Sequence, residues 1–97
     1  MALTLQTESP SVMTEWLQLE TAVEVIGQVI AFYVGQVAQE RNQNAPNVDR
    51  IQEWEQKIKD LGKERRACYR AATKEAIIAK AYSVYAPFIQ EQSNQYA

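Results

Sequence analysis

The first half of the chain carries apolar residues in a regular alternation of four- and three-residue steps. The series consists of Val12, Trp16, Leu19, Val23, Ile26, Ile30, Tyr33 and Val37. Such steps place side chains on one side of an α-helix, and a strict alternation is typical of helices that pack lengthwise on one another. The pattern predicts a first helix over residues 10–42, with Trp16, Ile30 and Tyr33 in the core.

Local signals mark the ends of this helix. Ser9 is a favourable N-cap and Pro10 suits the first helical position, so residues 1–9 are expected to form a flexible leader. Asparagine and proline cluster over residues 41–47, where the apolar rhythm stops, and this predicts a loop. Asn47, at the end of the loop, is suited to cap the next helix.

A second apolar series predicts a second helix over residues 47–86. It consists of Ile51, Trp54, Ile58 and Leu61 and continues more weakly through Arg65, Cys68 and Ala72. Gly62 lies where the pattern weakens, which predicts either a bend or the close approach of another backbone. Pro87 should end or kink the helix because it lacks a backbone N–H. Residues 87–97 are then expected to form a short helix or tail.

These elements predict an all-α fold: a long antiparallel helical hairpin with a short C-terminal helical segment, in one domain of 97 residues. Trp54 and Ile58 should join the core. A further apolar flank of the first helix includes Val25 and Phe32, and one antiparallel helix cannot cover both faces. Either the C-terminal segment folds over this flank or, as the favoured alternative, another chain covers it and completes a helical bundle.

Small residues form a ladder along the first helix, at Gly27, Ala31 and Gly35. Steps of four residues place them on one flank, where another backbone could approach closely. The favoured neighbour is the alanine-rich second helix of the same chain, and the alternative is an oligomeric or partner interface. Together with Val25 and Phe32, these three residues form the candidate protein interface.

Charge is unevenly distributed along a chain whose net charge is −2. Residues 1–48 carry five acidic residues and one arginine, a balance of −4. Residues 57–74 carry seven basic and two acidic residues, a balance of +5. An acidic half followed by a basic segment points to charged partner surfaces.

Five basic residues recur at helical spacing and predict one basic ridge on the second helix. They are Lys59, Lys63, Arg66, Arg70 and Lys74. Like charges four residues apart each destabilise a helix by about 0.2–0.5 kcal/mol, and the ridge contains three such pairs. It therefore suits a nucleic-acid backbone or an acidic protein surface, with Lys63, Arg66 and Arg70 at its centre. A solvated outer face is the alternative that needs no partner.

The residue types of common active sites are largely missing. The chain has no histidine and three unclustered glycines, so it lacks the commonest general base and any phosphate-binding loop. The single cysteine, Cys68, is expected to be a small core residue. We expect no catalytic activity, no metal, no cofactor and no small-molecule substrate.

A cytoplasmic location is the expectation for this chain. The N-terminus lacks the regions of a secretory signal, and a single cysteine fits a reducing compartment. Residues 22–38 are mostly apolar, but Glu24, Gln28 and Gln36 interrupt them. A soluble core helix is therefore favoured over a membrane span.

Two functional classes stay open. The first is a non-catalytic helical subunit of a larger assembly, which packs on neighbouring protein through apolar faces and contacts single-stranded or duplex nucleic acid through the basic ridge. In size, all-α content and basic face, the chain resembles the small subunits of CRISPR effector complexes, and no individual residue carries over from them. The second is a dimeric protein–protein interaction module, such as an adaptor, an antitoxin-like neutraliser or an inhibitor, without nucleic-acid contact.

Overall fold

The computed structural model describes residues 10–95, which are all-helical apart from two short connections and contain no strand. Helix α1 spans Pro10–Arg41 and helix α2 spans Val48–Ala67. The predicted all-α class is confirmed for this part of the chain. The expected leader over residues 1–9 and its N-cap Ser9 lie outside the described residues.

A third helix follows α2 and consists of three successive pieces. They are α3 (Lys74–Lys80), a π-helical turn (Ala81–Tyr85) and α4 (Ala86–Gln95). We call the three pieces together the C-terminal helix. Residues 10–95 therefore form three helices that pack on one another, where the sequence predicts two helices and a short C-terminal helix or tail.

Polar side chains organise the connection between α1 and α2. Asn47 caps α2, because its side-chain Oδ1 accepts a hydrogen bond from the Arg50 backbone N–H at 3.1 Å. The Asn47 backbone N–H donates to the Glu40 carboxylate at 3.0 Å, which ties the connection to the end of α1. An ion pair of 2.8 Å between Arg41 and Glu55 closes the same end of the helix pair.

Contacts along α1 and α2 show that the two helices run in opposite directions. Towards the connection, the Lys57 ammonium lies 5.7 Å from the ring centroid of Tyr33. Farther from it, Arg65 lies beside Gly27, where an added Cβ would be 3.3 Å from a guanidinium nitrogen. Four residues of the two predicted apolar series are buried in or beside this contact: Ile26, Val37, Ile51 and Leu61.

The second helix ends earlier than the sequence predicts. We expected a helix over residues 47–86 with a bend at Gly62, but α2 stops at Ala67, and Gly62 lies within it. Within residues 10–95 no backbone approaches this glycine closely, since an added Cβ would meet only the Arg66 guanidinium, at 3.8 Å. In the turn that follows, the Thr73 hydroxyl donates to the Ala67 carbonyl at 2.7 Å, and the Arg70 backbone N–H donates to the same carbonyl at 3.1 Å.

The early end of α2 allows the C-terminal helix to run back along α1. A straight continuation would carry its last residues past the start of α1 at Pro10, where no helix could cover them. In the observed fold Ala81 is buried against Ala22 and Ile26. Five half-buried residues of the C-terminal helix also pack on the core: Ile77, Ile78, Tyr85, Phe88 and Ile89.

The C-terminal helix covers the flank of α1 for which we favoured a second chain. Phe88 stacks on Tyr33 with ring centroids 6.0 Å apart and meets Phe32 edge-on at 5.2 Å. Val25 lines a small hollow together with Ala81. Cover by another chain was therefore the wrong choice for Val25 and Phe32, and the alternative, a C-terminal segment that folds back, describes the structure.

Pro87 does not end the helix, which was one of the two outcomes that the sequence predicts, the other being a kink. The preceding turn is π-helical, and the Ala86 N–H bonds to the Ala81 carbonyl five residues earlier. In this wider turn the backbone N–H groups bond five residues back instead of four, immediately before Pro87, which has no N–H to donate. The chain therefore stays helical to Gln95.

Trp16 lies on the surface, although the sequence predicts it in the core. It is 59% exposed, because α2 ends at Ala67 and does not reach this part of α1. Cys68 is fully buried, as expected of a small core residue. The other four predicted core residues are half-buried: Ile30, Tyr33, Trp54 and Ile58.

Truncation of Phe88 tests how much the C-terminal helix contributes to the fold. We expect Phe88→Ala to lower the free energy of unfolding by about 2–3 kcal/mol, somewhat less than for a fully buried phenylalanine. Val84→Ala is the matched control, since Val84 lies on the same helix and is 50% exposed. Urea unfolding followed by circular dichroism measures both variants. Equal effects would contradict the packing of Phe88 on α1.

Candidate functional site

The five residues of the predicted basic ridge do not form one ridge. Lys59, Lys63 and Arg66 lie on the exposed outer face of α2. Arg70 lies in the turn after α2, and Lys74 is the first residue of α3. The prediction of a single helical ridge is therefore wrong, because the helix ends before its last two members.

Four of the five cations remain together near the end of α2. Lys59, Lys63, Arg66 and Arg70 are exposed and form no ion pair with any residue between 10 and 95. We call these four residues the basic surface. Lys74 is separate from it, since it lines a hollow between α1 and the C-terminal helix.

Most other cations of the described chain have a partner. The pairs are Arg41 with Glu55, Lys80 with Glu64, Arg50 with the ring of Trp54, and Lys57 with the ring of Tyr33. Among residues 10–95, the basic surface is thus the largest group of cations without such a partner, and Arg65 and Lys74 also form no ion pair. Tyr69, 64% exposed, lies next to it in the turn.

The energetic argument for a partner of the basic surface is weaker than the sequence suggests. Of the three like-charge pairs, only Lys59 and Lys63 lie within one helix. Arg65 and Arg66 occupy the last turn of α2, where positive charge complements the negative end of the helix dipole. Part of the basic composition therefore has a purely structural reason.

One side of the α1–α2 pair has no cover among the described residues. The C-terminal helix occupies the side that presents Val29 and Phe32. Helical spacing places a second set of residues on the opposite side, which we call the open face. Its members are Val23, Gly27, Ile30 and Val34 of α1 and Ile58, Gly62 and Arg65 of α2.

The open face is apolar but only partly shielded from water. Val34 is 51% exposed, and Ile30 and Ile58 are half-buried between the two helices. Arg65 is its charged member, and it forms no ion pair within residues 10–95. The face thus combines an apolar centre with one cation that has no acidic partner among residues 10–95.

The ladder of small residues borders the open face. Ala31 and Gly35 are exposed, and an added Cβ at Gly35 would meet nothing within 4 Å. Gly27 contacts a guanidinium group of Arg65 instead of a backbone. The favoured expectation that the alanine-rich second helix packs on the ladder is therefore wrong, because most of those alanines belong to the turn and the C-terminal helix.

A polar network that sequence analysis missed joins α2 to the C-terminal helix. The Glu64 carboxylate accepts hydrogen bonds from Lys80 Nζ, at 2.8 Å, and from the Tyr85 hydroxyl. The hydrogen bond with Glu64 raises the pKa of Lys80 to about 12. Burial, followed by the bond to Glu64, raises the pKa of Tyr85. No periodicity marks these residues, because their meeting depends on the turn after Ala67.

A cavity of about 440 Å³ lies beside this network, lined mainly by apolar and aromatic side chains. Between residues 10 and 95 no group of three or more His, Cys, Asp or Glu side chains is placed to hold a metal ion. Burial, and secondarily Glu64, raises the pKa of the Cys68 thiol, which makes it a poor nucleophile.

The segment Thr14–Arg41 of α1 is long and apolar enough to cross a membrane by length and composition alone, with a mean hydropathy of 1.4. Within the fold, 28% of that window is buried. The core helix of a soluble protein and a signal sequence both satisfy the same criterion. Our expectation of a protein that does not insert into membranes stays a prediction.

The Glu64 network predicts that stability falls at alkaline pH, from about 10 to about 12, where Tyr85 and Lys80 lose their protons. Both pKa values are raised by folding, so their stabilisation is complete below the unfolded pKa and is lost as the pH rises through the folded pKa. Glu64→Gln should flatten this dependence, and Glu53→Gln, an exposed position on α2, should not. Urea unfolding at several pH values measures it, and an unchanged profile in Glu64→Gln would contradict the network.

No protein-family model, curated protein sequence or solved structure matches the chain. No residue role, ligand or activity therefore comes to it from another protein. The basic surface, the open face and the Glu64 network are the features from which a function can be inferred.

Proposed function

We propose that this chain is a non-catalytic helical subunit that binds another protein chain through its open face. The observation that carries the proposal is the uncovered side of the α1–α2 pair, with Val34 51% exposed and Ile30 and Ile58 half-buried beside it. Contiguous apolar surface of this kind mostly marks interaction sites, and its burial contributes roughly 25 cal/mol per Å².

The shape of the surface supports a helical partner. Ala31 and Gly35 are exposed and carry little or no side chain, so another helix can approach α1 at this part of the ladder. Typical distances between packed helix axes are about 8–10 Å, and small residues favour the shorter end of that range. The charged residues that border the face suit the polar rim of a protein interface.

Contact with a nucleic-acid backbone is a second candidate function, and the four unpaired cations of the basic surface favour it. Phosphate groups would supply the negative charge that no carboxylate of residues 10–95 supplies to these cations. Tyr69, beside Arg70, offers a ring on which a base could stack. This activity is compatible with the first, since Lys63 points away from the open face by helical spacing and Arg70 lies in the turn after α2.

Site-specific photo-crosslinking in the native cells tests the proposed protein partner. A photoreactive amino acid at position 31, on the ladder, should give a discrete adduct with another polypeptide because the partner lies directly against it. The same amino acid at Glu91, an exposed position on α4, is the control. Intact-mass analysis identifies the adduct, and its absence at position 31 in cells that contain folded protein would refute the proposal.

Fluorescence anisotropy in a salt series tests the second candidate. Single-stranded RNA, single-stranded DNA and duplex DNA should bind more weakly as salt rises, and the triple variant Lys63/Arg66/Arg70→Ala should lose most of the binding because three phosphate contacts are removed. The control variant Arg41/Arg50/Lys57→Ala lowers the net charge equally but leaves the basic surface intact. No binding by folded wild type at low salt would exclude direct nucleic-acid contact.

A further inference from the structure

We infer that the chain on the open face is a second copy of this protein, an inference that rests on the proposed function. The open face lies between two edges of opposite charge. Its outer edge on α1 carries Glu20 and Glu24, and its outer edge on α2 carries Lys59 and Arg66. None of these four side chains forms an ion pair within the described part of the chain.

The opposite charges lie at nearly the same height along the helix pair. A short connection joins the end of α1 at Arg41 to the start of α2 at Val48, so these two residues lie at nearly the same height. Glu24 lies 17 residues before Arg41, and Arg66 lies 18 residues after Val48. At about 1.5 Å per residue, Glu24 and Arg66 therefore differ in height by about 2 Å.

This match in height has a consequence for symmetry. A two-fold axis parallel to the helices places α1 of one copy over α2 of the other and keeps every residue at its own height. The acidic edge of each copy then lies against the basic edge of its partner. Glu24 meets Arg66 of the second copy, and the same contact occurs twice, as an isologous interface requires.

The apolar centre fits the same arrangement. Val34 and Ile30 of one copy would lie against Ile58 of the other. The face is about 30 Å long and two helices, or about 20 Å, wide. Two such faces would bury about 1,200 Å² in total, which is the lower end of the range for stable protein interfaces.

Charge reversal in purified protein tests this arrangement, with sedimentation equilibrium as the readout. Wild type should form dimers that weaken with salt. Glu24→Lys and Arg66→Glu should each raise the dimer dissociation constant about tenfold or more, because each creates two like-charge contacts in a symmetric dimer. Glu91→Lys, on the exposed side of α4, is the control that should leave it unchanged, and circular dichroism verifies folding.

The decisive step is to mix the two single variants. A Glu24→Lys chain and an Arg66→Glu chain restore both opposite-charge contacts when they pair with each other, so the mixture should form heterodimers of near wild-type affinity. The double variant Glu24→Lys/Arg66→Glu should likewise recover homodimers. Failure of both rescues, or a dimer dissociation constant that neither single charge reversal changes, would overturn the inferred geometry.

The inference and the proposed function fail in different ways. A wild-type protein that stays monomeric at the highest attainable concentration, but crosslinks at position 31 to a different polypeptide, would refute the second copy and keep the docking face. A monomer that gives no crosslink at position 31 would refute both.

Discussion

The turn between α2 and the C-terminal helix determines most of the architecture. The Thr73 hydroxyl bonds to the Ala67 carbonyl and closes this turn, so the chain leaves α2 and returns along α1. Every contact of the third helix depends on that reversal, including the packing of Phe88 on Phe32 and Tyr33. A continuous helix would satisfy the local pattern equally well but would leave the second apolar flank of α1 in water.

The sequence predicts local features well because they depend on neighbouring residues. The first apolar series marks α1, and Asn47 caps α2 as its residue type suggests. The turn after Ala67 carries no glycine or proline, so nothing in its composition announces it. Pro87, by contrast, is a residue that usually ends or kinks a helix, but the helix continues past it after a single π-helical turn.

In the candidate sites, too, features that depend on one helix were predictable and features that depend on the turn after Ala67 were not. The exposure of Lys59, Lys63 and Arg66 was predictable from helical spacing, because all three lie on one helix. The separation of Arg70 and Lys74 from them was not, since it results from the turn. The Glu64 network was equally hidden, because Lys80 and Tyr85 reach Glu64 only after the chain has reversed.

The buried position of Cys68 makes the reactivity of its thiol a measure of how often the surrounding helices separate. The thiol is fully buried in the cluster where α1, the end of α2 and the π-helical turn meet, and it is the only thiol in the chain. A reagent in solution reaches it only when these helices separate. The rate at which this one sulfur atom is labelled therefore measures how often the C-terminal helix detaches under native conditions, in which the rest of the protein stays folded.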